Sequence, residues 1–144
     1  MISTLRHTTT TTTATAAAVL LAAGVGLASA ATVHVRLTGS QEVPPVHTVA
    51  RGTGVIEISH DGAVSGRIAT HGIKATMAHI HEAAPGKNGP PIIMLKRGPH
   101  GTWLVPAGAK LSPREYKAFL AGDLYVNVHS RAHPGGEIRG QLKP

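Results

Sequence analysis

Two histidines stand one residue apart in AHIHEAAPGKNGPP (Ala78 to Pro91), just before a stretch made almost wholly of small, turn-forming residues. In a β-strand the side chains at i and i+2 share one face, about 6.5–7 Å apart along the backbone. His79 and His81 therefore point the same way, and two imidazoles so placed can reach one metal ion. A third from a neighbouring strand completes the three-nitrogen set that copper or zinc accepts. DLYVNVHS offers it, because Leu124, Val126 and Val128 make an apolar face and Tyr125, Asn127 and His129 a polar one. His71 and His133 are candidates for a further ligand, whereas His34, His47, His60 and His100 stand in surface or turn contexts. Ten histidines in 144 residues give about 0.7 His-x-His pairs by chance, so the pair alone has little specificity.

Strands must position these groups. TVHVRL places Val33, Val35 and Leu37 on one face. GVIEIS aligns Ile56 with Ile58, an Asp-Gly turn follows at His60 to Ala63, and AVSGRIAT aligns Val64 with Ile68. TMAHIHEA, PIIML, DLYVNVHS and EIRGQL continue the pattern. Short strands with frequent turns predict an all-β fold, an antiparallel Greek-key β-sandwich or barrel. One short helix interrupts it in LSPREYKAFLAGD: Ser112 is the N-cap, Pro113 takes the first helical position, Glu115 completes a capping box and Gly122 ends the helix. Tyr116, Phe119 and Leu120 give that helix an apolar side for packing on the sheet.

With the aliphatic faces turned to the core, His79, His81, His129, Glu137 and Arg139 are expected on the outside of the sheet, with APGKNGPP folding back over them. In PGGEIRGQL, two readings of Glu137 and Arg139 stand open: a structural cross-strand pair, or a carboxylate that orients an imidazole N–H. EVPP (Glu42 to Pro45) reads as an extended structural edge, since proline cannot donate to a ladder.

Residues 1–30 read as a secretory signal. Arg6 gives the positive start, ATAAAVLLAAGVGLA the apolar stretch, and Ala28, Ser29 and Ala30 a small-residue cleavage site. Cleavage before Ala31 leaves one domain over residues 31–144 and no membrane span, and places the protein in the periplasm or outside the cell. The chain has no cysteine, which excludes thiolate chemistry and Cys-ligated zinc. The formal charge is +7, or +6 once Arg6 leaves with the signal, and the basic residues are scattered. Aromatic residues are 3 % of the chain, too few for a stacking platform, so nucleic acid is not an expected partner. No Ser–His–Asp pattern or carboxylate pair of a hydrolase stands out.

GSQEVPP, AHIHEAAPGKNGPPI, AGDLYVNVHS and PGGEIRGQL, in that order, resemble the chordin-type (CHRD) domain. That likeness implies a β-sandwich and leaves the activity open. HIHEAAPGKNGP and VNVHS are also similar to the copper-ligating strands of copper/zinc superoxide dismutases. On that second resemblance His79, His81 and His129 are copper ligands, and Arg139 stands for the arginine that guides superoxide. The bridging histidine, the zinc-site aspartate and the disulfide cysteines of those enzymes have no counterpart here. The expectation is an exported domain binding one copper ion, with zinc the less favoured metal. A metal-free module binding a protein, matrix or envelope partner is the alternative, and a copper-only dismutase-like enzyme a further one.

Overall fold

The computed structural model describes residues 29–144; the signal expected over residues 1–30 lies almost wholly outside them. Nine strands and one α-helix follow in order, with a single 3-10 turn at Gly39–Gln41 after the first strand: β1 (Ala30–Thr38), β2 (Arg51–Ser59), β3 (Val64–His71), β4 (Ala75–Glu82), β5 (Pro91–Met94), β6 (Lys96–Arg97), β7 (Thr102–Leu104), α1 (Pro113–Leu120), β8 (Leu124–Ser130) and β9 (Ile138–Leu142). They form one antiparallel sheet in the order β5-β4-β8-β9-β1-β2-β3-β7-β6. Only Leu95 separates the two edge strands in sequence, and its N–H donates to the Ala78 carbonyl at 2.9 Å. The Arg97 guanidinium reaches from β6 to the Ala75 carbonyl of β4 at 2.6 Å. The sheet thus curls almost to closure, a barrel-like form of the expected all-β fold. Long connections bring β4 beside β8 and β9 beside β1. Among the described residues, no helix is long and apolar enough to cross a membrane.

Alternation decides what fills the interior. Val33, Val35, Leu37, Ile56, Ile58, Val64, Ile68, Ala78, Ile80, Val126 and Val128 are all buried in one cluster, as their strand parity requires. The helix has its expected capping box: Glu115 N–H bonds the Ser112 side chain and the Glu115 carboxylate takes the Ser112 N–H. Gly122, at φ +79°, closes it in a Schellman turn with Gly122 N–H on Phe119 O and Asp123 N–H on Ala118 O. Phe119 is buried and Tyr116 partly so, but Leu120 is 55 % exposed and does not join the packed side.

The polar face is where structure and expectation part. It is not an outer surface. All seven residues of β8 are buried, because two irregular segments lie over the face opposite the core. Residues 83–90 are tied down by Gln141, which donates to Ala83 O at 2.9 Å, and by Arg139, which donates to Lys87 O at 2.7 Å. Residues 39–49 form the second cover, held where Thr48 Oγ1 donates to the Glu137 carboxylate at 2.7 Å. Asn88 Nδ2 donates to Val43 O at 2.7 Å and joins the two covers. The stretch Glu42 to Pro45 belongs to this roof and to no strand.

Candidate metal centre

Register brings the histidines together. His79 and His81 lie on β4 facing Asn127 and Tyr125 of β8, while His129 lies opposite Met77. Each opposed pair points to one side of the sheet, so the three imidazoles converge. Ring centroids are 5.3 Å apart for His79 and His81, 4.8 Å for His79 and His129, and 6.0 Å for His81 and His129. One ring nitrogen from each lies within 4.8 Å of the others. The residues are only 6 %, 8 % and 6 % exposed in the order 79, 81, 129.

The partners of these rings fix their protons. His129 Nδ1 lies 2.9 Å from the Pro134 carbonyl, and His81 Nδ1 lies 2.9 Å from the Gly89 carbonyl. A carbonyl only accepts, so both Nδ1 atoms carry hydrogen and both Nε2 atoms keep a lone pair. His79 Nδ1 stands 3.0 Å from His129 Nε2 and supplies the hydrogen of that contact. This leaves His79 Nε2 and His81 Nε2 buried with no hydrogen-bond partner. Buried polar atoms are rarely left so. Such a cluster could hold a metal ion, with backbone carbonyls bonded to the Nδ1 side of the His81 and His129 rings and leaving their Nε2 atoms as the available donors.

Electrostatics favour the same state. Burial, then the neighbouring charges of His129 and His81, pushes His79 down to about 4. Burial lowers His81 too, against the Gly89 carbonyl, which works the other way. Burial lowers His129, again against a carbonyl, that of Pro134. The neutral imidazole is the form that coordinates a metal.

The other sequence candidates stand elsewhere. His71 is exposed on β3, and His133 lies half-buried in the β8–β9 turn; neither joins the cluster. Glu137 is buried, but its hydrogen-bond partner is Thr48 rather than an imidazole. No ion pair links Glu137 and Arg139 among the described residues, where the ion pairs are Lys110–Asp61, Arg114–Glu82 and Arg114–Glu115. The Arg139 guanidinium lies over the Tyr125 ring, 3.5 Å from its centroid, and Tyr125 stacks on His81 at 4.9 Å. With its N–H groups given to loop carbonyls and 1 % exposure, Arg139 does not present a charge to solvent; it clamps the roof.

Periodicity gives no sign of Glu42, which enters this face from the roof. Its buried carboxylate accepts from Asn127, which stands between His79 and Arg139 across the sheet. Burial pushes it up to about 7, against the Arg139 charge and the Asn127 hydrogen bond. Strand parity does signal the polar neighbours Tyr125 and Asn127, four and two residues before His129, and Arg139 opposite Asn127.

A family model described as the CHRD domain matches residues 33–142. No curated protein and no solved structure matches the chain.

Proposed function

The chain belongs to the CHRD domain family, and from that premise and its buried histidine cluster we propose an exported domain that binds one copper or zinc ion, copper being preferred. His79, His81 and His129 are the ligands. The observation that carries the reading is the pair of buried, partnerless nitrogens, His79 Nε2 and His81 Nε2, beside a third imidazole whose orientation is fixed by a backbone carbonyl. No carboxylate or further histidine joins the three among the described residues. A structural zinc site takes four protein ligands, whereas three nitrogens leave a position open for exchange. Three imidazoles with an open position suit catalytic zinc as well as copper, and the preference for copper rests on the likeness to the dismutase strands. Bound copper would supply Lewis acidity and one-electron redox chemistry; the protein's part is to keep three imidazoles neutral, oriented and shielded. Export rests on the signal-like residues 1–30.

Thermal unfolding with one equivalent of Cu(II) or Zn(II) tests this, comparing the protein with its His79→Ala/His81→Ala variant. A metal bound only to the native state at 100 times its Kd adds about 2.7 kcal/mol, and the variant is expected to lose that gain. Equal shifts, or none, in both proteins would leave a metal-free module for a protein or matrix partner. A superoxide assay on the copper-loaded protein decides the nested dismutase reading.

A further inference from the structure

The polar face does not end at the imidazoles. Met77 of β4 is opposed by His129, and Met94 of β5 is opposed by His79. Directly opposed residues share a side of the sheet. Packing agrees, since the intervening Ala78, Ile80 and Ile93 are buried in the core and must point the other way. His79 thus has Met77 and His81 beside it along its strand and Met94 and Asn127 across from it. The chain has three methionines; apart from Met1, both border this cluster. Met77 is 45 % and Met94 58 % exposed, so the two thioethers form a solvent-facing rim beside imidazoles that are nearly closed off.

Exposed apolar residues occurring singly need no explanation. Two exposed thioethers flanking the same imidazole, whose buried Nε2 has no hydrogen-bond partner, do. A thioether is a soft donor that takes Cu(I) and has no part in ordinary zinc sites, which use nitrogen, thiolate and carboxylate. The methionine side chain is long, unbranched and free to swing its sulfur inward. Resting on the metal-binding reading above, we propose that Met77 and Met94 extend the three imidazoles into a mixed nitrogen–thioether site that selects Cu(I) over Zn(II).

The test measures Cu(I) affinity without oxygen against a chromophoric Cu(I) chelator, and Zn(II) affinity against a zinc chelator. It uses the whole protein and its Met77→Leu/Met94→Leu variant, a swap that keeps volume and apolarity. The variant is expected to lose about tenfold or more in Cu(I) affinity, or 1.4 kcal/mol, while Zn(II) affinity stays within about twofold. In the unaltered protein, the methionine methyl resonances should move on adding Cu(I) and stay put on adding Zn(II). Unchanged Cu(I) affinity, or an equal fall for both metals, overturns the thioether proposal and spares the histidine reading. Methyl resonances indifferent to Cu(I) overturn it as well, even where the variant folds poorly. Failure of the unaltered protein to bind either metal is the separate result that removes the histidine reading itself.

Discussion

Glu42 carries an acid into a place where ionisation is opposed. Its carboxyl is pushed up to about 7 by burial, whereas in the unfolded chain it ionises near its ordinary 4.5. Between those values the folded state holds more protons than the unfolded one. The contribution of Glu42 to stability is therefore fully present below pH 4.5 and is lost as pH rises through about 7. Glu42→Gln keeps an acceptor for Asn127 and removes the charge. Each tenfold change in a proton equilibrium is worth about 1.4 kcal/mol, and solvent screening takes back a part. The variant should therefore stabilise the fold at pH 8 by on the order of 2–3 kcal/mol and change little at pH 4. Urea unfolding of both proteins at pH 4, 6 and 8 measures this. The depressed histidines act with the opposite sign, their share of stability falling as pH drops from about 6.5 toward 4. Taking the difference between the two proteins cancels that background. An unaltered gap across all three pH values would count against the buried acid.

At the scale of elements, the roof holds the rings. Gly89 sits so close to β4 that a Cβ there would fall 1.8 Å from the Glu82 carbonyl oxygen, a contact that only backbone movement relieves. Gly89 also supplies the carbonyl that orients His81. Gly89→Ala should destabilise the protein by about 1–3 kcal/mol and weaken metal binding further than that loss explains. Chemical unfolding of the metal-free protein, set beside its metal affinity, separates the two effects. Strand parity made the convergence of His79, His81 and His129 legible, because a period of two assigns each residue a face. It also marked the core, while capping residues marked the helix at both its ends. What covers the polar face was harder to read. Residues 39–49 and 83–90 have no period, and the atoms that orient the rings are carbonyls of Gly89 and Pro134, which every residue type possesses. Strands as short as β6 and β7 likewise leave no alternation to detect.

For the whole molecule, the nearly closed sheet means that the barrel and its covers form around one core without a cysteine. The first described strand starts at Ala30, paired with Ser59, so removal of residues 1–30 would cost β1 only its exposed first residue. Protein recovered from the periplasm or medium should begin at Ala31, as intact mass and N-terminal sequencing would show. Full-length chain confined to the cytoplasm would refute export. The bond between Asn88 and Val43 gives the covers one further property. Because the two flaps are latched to each other, they cover the polar face as one lid and not as two independent ones. If the histidines hold an ion as proposed, breaking that latch with Asn88→Ala should quicken its exchange, as stopped-flow competition with a chelator would measure.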